Sequence, residues 1–144
     1  MVNLSKKTRC FISSSKEDLD KANKISEFLE AEGMEAATSK DLFFPGMTIL
    51  ENLQNAITKV EFVILLLPSN TTTRTVKPDA NLLFEMGIIV GMGKPLLALV
   101  EKNSSVSLPS DLSSIMFLKY EPQKIESIFR YIKNWALHSL ETTI

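Results

Sequence analysis

Residues 62–70 have the sequence FVILLLPSN, which begins with six apolar residues. Six consecutive apolar residues are typical of a central strand in a parallel sheet, because helices cover both faces of such a strand. Pro68, Ser69 and Asn70 then end the apolar run abruptly. We therefore expect residues 62–67 to lie in the middle of a parallel sheet.

Before and after this strand in the chain, short apolar segments alternate with segments of helical periodicity. Further strands are predicted at residues 9–12, 34–38, 96–100 and 115–118, and helices at 19–33, 49–60, 80–93 and from Pro122 onward. Strands that alternate with helices predict an α/β protein with right-handed crossovers. We expect a flavodoxin-like three-layer fold, with a five-stranded parallel sheet in the order 2-1-3-4-5 and helices on both faces. Residues 1–144 are expected to form a single domain, with residues 1–8 as a flexible flank.

Two helix starts carry the pattern of a capping box, in which a hydroxyl residue precedes an acidic residue by three positions. The first predicted box is Ser14 with Glu17 or Ser15 with Asp18, and the second is Thr48 with Glu51.

Composition excludes several classes of function. The chain has 144 residues and a formal charge of −1, which predicts no general attraction to nucleic acid or to an anionic membrane. It contains one cysteine and one histidine, so it cannot build an internal disulfide, and we expect neither a Cys/His zinc site nor a Cys–His catalytic pair. Its longest apolar runs are interrupted by Glu85, Lys94 and Pro95, and its N-terminus has no signal-peptide core. We expect a cytoplasmic protein without a Cys/His metal site.

Polar side chains from three separate segments are expected to meet at one crevice. In the predicted strand order, ligands bind where the order reverses, between the carboxyl ends of the first and third strands. The candidate ligand-binding residues there are Ser13, Ser14, Ser15, Pro68, Ser69, Asn81 and Glu85. The serines could also be helix caps, and Glu85 could be an ion-pair partner at the edge of the core. Asn81 and Glu85, however, are four residues apart and share one face of an otherwise apolar helix, which favours a functional role for Glu85.

The loop after the second strand is unusual because two phenylalanines, Phe43 and Phe44, precede the Pro45-Gly46 turn. Aromatic side chains on a loop indicate either a contact surface or rings that fold back onto the core. The sequence leaves these two alternatives open.

Taken together, these motifs resemble the Toll/interleukin-1 receptor (TIR) superfamily over nearly the whole chain. The matching segments are Phe11-Ile12-Ser13-Ser14, Asp41…Pro45-Gly46, residues 62–69 and Asn81-Leu82-Leu83-Phe84-Glu85-Met86-Gly87…Gly93-Lys94-Pro95. Leu82-Leu83-Phe84 replaces the aromatic–Cys pair of animal and plant TIR domains. The resemblance is therefore to bacterial TIR-like proteins and to the related nucleoside 2-deoxyribosyltransferases.

This resemblance implies a function. Glu85 would be the catalytic carboxylate. Residues 43–47, which include Phe43, Phe44 and Gly46, would cover the NAD+ site. The loop of residues 42–47 would also join subunits into a homo-oligomer. The implied reaction is NAD+ glycohydrolysis in bacterial antiphage defence or signalling, with NAD+ as substrate and no cofactor. The alternatives are a nucleoside or nucleotide 2-deoxyribosyltransferase or hydrolase, and a non-catalytic TIR adaptor that self-associates.

Overall fold

The fold is built around a parallel sheet whose strands follow the apolar segments of the sequence. The structure, a computed structural model, describes residues 8–38, 48–68, 75–76, 80–108, 112 and 115–142. The strands in these ranges are β1 (Arg9–Ser13), β2 (Glu35–Thr38), β3 (Phe62–Leu66), β4 (Thr75–Val76), β5 (Leu96–Glu101), β6 (Ser105–Val106) and β7 (Met116–Tyr120).

Five of these strands form one sheet, in the order β2-β1-β3-β5-β7, with every neighbouring pair parallel. Numbered among themselves along the chain, they give the predicted order 2-1-3-4-5, so the predicted fold is confirmed. β3 occupies the centre, and all five of its side chains are buried, as its continuous apolar sequence predicted.

Helices cover both faces of the sheet. They are α1 (Leu19–Ala31), α2 (Ile49–Thr58), α3 (Ala80–Gly91) and α4 (Phe129–Thr142). Alternate residues of β1 point to opposite faces. Accordingly, Ile12 joins the apolar cluster under α1 and α4, whereas Phe11 joins the cluster under α2 and α3. The sheet is therefore the middle layer of three, and α3 lies on the same face as α2.

The helix starts were predicted with mixed success. The capping box at α2 is confirmed, because Thr48 and Glu51 exchange both side-chain-to-backbone hydrogen bonds. The box before α1 is wrong: a 3₁₀ turn, Lys16–Asp18, precedes this helix, and Asp18 at its N-cap makes no side-chain cap bond.

The start of the last helix was also predicted wrongly. Pro122 lies in a turn, a 3₁₀ segment follows at Ile125–Ile128, and α4 begins at Phe129. The reason is the backbone of Lys124, whose φ of −138° and ψ of 50° lie outside the helical region, so a helix opened by Pro122 cannot continue.

One pairing was not predicted. β4 and β6 form a separate two-stranded parallel ladder of two residues each. Such short strands are below the length at which alternation of apolar residues can be recognised.

Candidate active site

The candidate site lies at the carboxyl ends of β1 and β3. Ser13, the last residue of β1, is in register with Leu65 of β3, and its side chain is buried. Ser14 and Ser15 continue from β1 into the 3₁₀ turn, and Pro68 follows β3 at the same end of the sheet. This placement follows from topology, because the carboxyl ends of neighbouring parallel strands share one edge of the sheet.

α3 supplies the carboxylate of the site. Met86 and Ile89 of this helix are fully buried against the sheet, whereas Phe84 and Val90 are 56% and 44% exposed. Glu85 precedes the first buried position and lies at the border between the two faces, next to Ser13. The helix thus directs an acidic side chain along the sheet surface towards the end of β1 rather than into solvent.

These elements enclose a cleft of about 220 Å³. Its lining residues are Ser13, Ser14, Ser15, Leu65, Leu66, Pro68, Leu82 and Glu85. The wall is therefore apolar on the side of β3 and α3 and carries hydroxyl groups on the side of β1. Such a combination of an apolar surface with a few polar groups is typical of a site for a small organic ligand.

Burial dominates the electrostatics of Glu85. It raises the pKa of this carboxyl above its ordinary value, and a hydrogen bond from the Ser13 side chain opposes the shift without cancelling it. Oε1 of Glu85 is buried and has no hydrogen-bond partner within the described ranges. Because a buried acceptor without a partner destabilises the folded state, Oε1 is the atom from which a bound ligand would gain most.

The structure brings together five of the predicted site residues, namely Ser13, Ser14, Ser15, Pro68 and Glu85. The predictions for Phe43, Phe44, Gly46, Ser69 and the side chain of Asn81 lie outside the described residues. Sequence reasoning missed Leu65, Leu66 and Leu82, which also line the cleft. The two β3 leucines could have been found by asking which apolar residues stand at the carboxyl end of the central strand.

A larger cavity, of about 270 Å³, lies between β2 and α2 and shares no lining residue with the Glu85 cleft. Glu35 is the one carboxylate in its lining, and its Oε2 accepts a bond of 3.2 Å from Nε of Arg9. An acid that is already paired and largely exposed is less suited to catalysis than Glu85, whose pKa is raised by burial. We therefore place the candidate site at the smaller cleft.

Other types of site are not found in the part of the chain that the structure describes. No group of three or more His, Cys, Asp or Glu residues there is arranged to hold a metal ion. Cys10 is a buried free thiol, and burial raises its pKa well above the ordinary value. Among the described helices, none is both long and apolar enough to cross a membrane.

Comparison with known proteins identifies the family. Residues 9–122 match the family described as "CAP12/Pycsar effector protein, TIR domain". The chain belongs to this family of TIR domains. This match confirms the predicted resemblance to bacterial TIR-like proteins.

One curated relative of this TIR domain is CD-NTase-associated protein 12 of Lachnospiraceae bacterium (strain RUG226). It is 29% identical over 121 residues, which is 80% of the present chain and 38% of the relative. The chain thus spans well under half the length of this relative.

Solved structures with similar folds agree with the architecture. The TIR domain of the Toll-related receptor TRR-2 from Hydra magnipapillata superposes with a TM-score of 0.58 at 16% identity, covering 88% of this chain and 97% of that one. The CMP N-glycosidase BcmB of Clostridium botulinum gives a TM-score of 0.58 at 19% identity, with coverage of 89% and 99%. A metazoan TIR-STING receptor from C. gigas gives 0.54 at 19% identity, with coverage of 85% and 38%. At these identities the likeness concerns the fold alone.

Proposed function

We propose that this TIR domain cleaves the nicotinamide–ribose bond of NAD+, with Glu85 as the catalytic carboxylate. The observation that carries the proposal is the Glu85 carboxyl, whose Oε1 is buried and lacks a hydrogen-bond partner within the described ranges. It lines a cleft with three serines, and membership of an antiphage TIR family agrees with such an activity. The cytoplasm, where NAD+ is available, is the proposed location.

The chemistry requires one carboxylate. When the C1′–N bond breaks, both electrons of the bond pass to the cationic ring nitrogen of nicotinamide, which leaves as a neutral base. The ribose is then oxocarbenium-like, and a carboxylate held in a cleft of low polarity stabilises this positive charge strongly. Water adds to C1′ and releases one proton, so the products are nicotinamide, ADP-ribose and a proton.

Burial suits Glu85 to both parts of this reaction. A carboxyl group with a raised pKa is a stronger base than an exposed one, so it accepts the proton of the attacking water more readily. The hydroxyl groups of Ser13, Ser14 and Ser15 are the candidates for binding the ribose hydroxyl groups of the substrate, and those of Ser13 and Ser15, which donate to Glu85 and Asp18, would act as acceptors. Phe43, Phe44, Gly46, Ser69 and Asn81 stay proposed contributors on the evidence of sequence.

A second candidate is nucleotide or nucleoside N-glycosidase activity, including transfer of a deoxyribosyl group. It is favoured by the cleft volume of about 220 Å³, which lies below the roughly 300–1,000 Å³ of most drug-sized ligand sites. A nucleoside monophosphate needs less room than a dinucleotide. This reaction would use the same Glu85 and the same oxocarbenium-like transition state.

The test is a side-by-side assay of NAD+, CMP and deoxynucleosides, with products resolved by chromatography at several enzyme concentrations. We expect NAD+ to release nicotinamide and the Glu85→Gln variant to lose this activity. Glu30→Gln, an exposed acid on α1, is the matched control. Asn81→Ala should weaken turnover of NAD+, because a ribose 2′-hydroxyl would lose a partner.

Other outcomes would assign the domain differently. Faster turnover of CMP or deoxynucleosides than of NAD+, with Asn81→Ala neutral for all of them, would assign it to the second candidate. A folded protein that releases no base from any of the three, even at high concentration, would favour a TIR adaptor that acts by self-association.

A further inference from the structure

A polar cluster centred on Lys21 of α1 lies beside the candidate site but does not line it. Its Nζ is 3.2 Å from Oδ1 of Asp18, 3.1 Å from Oε1 of Glu101 and 3.3 Å from the hydroxyl oxygen of Tyr120. The same ammonium group lies 5.3 Å from the centroid of the Tyr120 ring. One side chain thus connects the start of α1 with the carboxyl ends of β5 and β7.

The cluster is largely shielded from water. The side chains of Lys21, Asp18 and Glu101 are 20%, 7% and 16% exposed. Burial alone lowers the pKa of Lys21, but the hydrogen bond to Glu101 and the proximity of Tyr120 and Asp18 outweigh it and raise the pKa above its ordinary value. The three partners therefore favour the charged form of Lys21.

The cluster is coupled to the cleft through Asp18. Oδ1 of Asp18 accepts from Lys21, and Oδ2 accepts a hydrogen bond of 3.3 Å from the hydroxyl of Ser15. The backbone N–H of Asp18 also donates to the carbonyl oxygen of Ser15, at 3.2 Å. Asp18 is therefore bonded twice to Ser15, which closes the turn between these two residues, and Lys21 is paired with Asp18.

Ser15, at which this turn begins, is part of the hydroxyl-bearing wall of the cleft. Ser13 is fixed by β1, whereas Ser15 lies beyond the end of the strand and is held there by its two bonds to Asp18. A bidentate anchor that is itself ion-paired restricts such a segment more than either hydrogen bond alone, because the charged partner fixes the rotamer of Asp18.

We propose that Lys21 is a positioning residue for this site: acting through Asp18, it fixes the turn at Ser15 and thereby the hydroxyl wall that faces Glu85. The proposal rests on the proposed function, since it names the residue that prepares the cleft for substrate. Lys21 contributes to binding by holding a preformed surface, and it does not touch the reacting atoms.

The test compares Lys21→Met, which keeps the length of the side chain without its charge, with Lys24→Met on the exposed side of the same helix. We expect Lys21→Met to raise KM for NAD+ by about tenfold, with kcat changed by less than about twofold, because the wall binds substrate and transition state alike. Lys24→Met should leave both constants unchanged. Lys21→Arg, which retains the charge, should restore most of the affinity.

A double-mutant cycle separates positioning from general stabilisation. If Lys21 acts through the turn, Lys21→Met should change KM much less in a Ser15→Ala background than in the wild type. If Lys21→Met does not fold, Asp18→Asn takes its place in the cycle. In Asp18→Asn, Lys21 keeps its contacts with Glu101 and Tyr120. Additive effects on KM, or a loss confined to kcat, would overturn the proposal.

Amide hydrogen exchange keeps this result distinct from failure of the proposed function. Should the wild type release no nicotinamide, the proposed function has failed, whereas the anchoring of the turn can still be measured. We expect the amides of residues 14–18 to exchange several-fold faster in Lys21→Met than in Lys24→Met, with those of β3 unchanged. Equal exchange in the two variants would refute the anchor itself.

Discussion

Replacing Glu85 by Gln should uncouple catalysis from stability, and the sign of the stability change depends on pH. The burial of Glu85 raises the pKa of its carboxyl in the folded protein above the ordinary value of 4.5. Between these two pKa values the folded state binds more protons than the unfolded state, so stability falls as pH rises through this window. Gln cannot ionise, and the variant is therefore free of this loss.

The magnitude follows from linkage. Below pH 4.5 both forms of the protein carry an uncharged side chain at position 85, and their free energies of unfolding should be similar. As pH rises towards the pKa of folded Glu85, the free energy of unfolding of the variant should increase relative to that of the wild type by at most about 1.4 kcal/mol per pH unit. Above that pKa the difference should stay constant. An ion-paired glutamate would give the opposite sign.

Urea denaturation at a series of pH values measures this difference, with fluorescence of Trp135, the single tryptophan of the chain, as the signal. The kcat of Glu85→Gln, measured on the same protein preparations, should be roughly 10²–10³-fold lower than that of the wild type, as when one charge-stabilising group is removed from an active site. Glu30→Gln should change neither property. A Glu85→Gln variant that is less stable than the wild type at pH 8, or that retains full kcat, would refute the reasoning.

Three further variants test the fold and the loop. Thr48→Ala should lower the free energy of unfolding by about 1 kcal/mol through loss of the capping box, whereas the exposed Gln54→Ala on the same helix should lower it by much less; equal losses by urea denaturation would contradict the cap. Phe62→Ala should lower the free energy of unfolding by about 3–5 kcal/mol, because a fully buried ring that packs edge-to-face on a tryptophan is removed. A loss below 1 kcal/mol in the same assay would show that neighbouring core side chains fill the space left by the ring. Phe43→Ala with Phe44→Ala should abolish any concentration-dependent part of the activity without lowering the melting temperature; activity strictly linear in enzyme concentration in both forms would exclude this role.

Most of the fold could be predicted because its strands are strongly apolar. The continuous apolar run at residues 62–67 indicated a central strand, and the order of the other strands was taken from the flavodoxin-like pattern, which the sheet confirms. The predictions failed where tertiary contacts overrode local pattern. Ser15 and Asp18 have the spacing of a capping box, but the Asp18 carboxylate is taken up by Lys21 and by the Ser15 hydroxyl, so it cannot cap the backbone.

The candidate site was predictable in outline for a similar reason. Glu85 stands out as an acid in an apolar helix, and topology alone brings it near a serine 72 positions earlier in the chain (85 − 13 = 72). The apolar lining residues could not be recognised, because leucines at the end of a strand look the same whether they face a cleft or a core. The link from Lys21 to Glu101 was likewise beyond sequence reasoning, since its partners are 80 residues apart and neither belongs to a motif.

Packing alone would not favour a glutamate at position 85. Met86 and Ile89 on the same helix are fully buried, and Leu82, one turn before, packs on the same core cluster, so the surroundings of position 85 favour an apolar side chain. An acid there has its pKa raised by burial and leaves Oε1 without a partner within the described ranges, and both features weaken the folded state. Stability therefore gives no reason for a glutamate at this position. Catalysis does, because a carboxylate that water solvates poorly interacts most strongly with a positive charge that develops beside it.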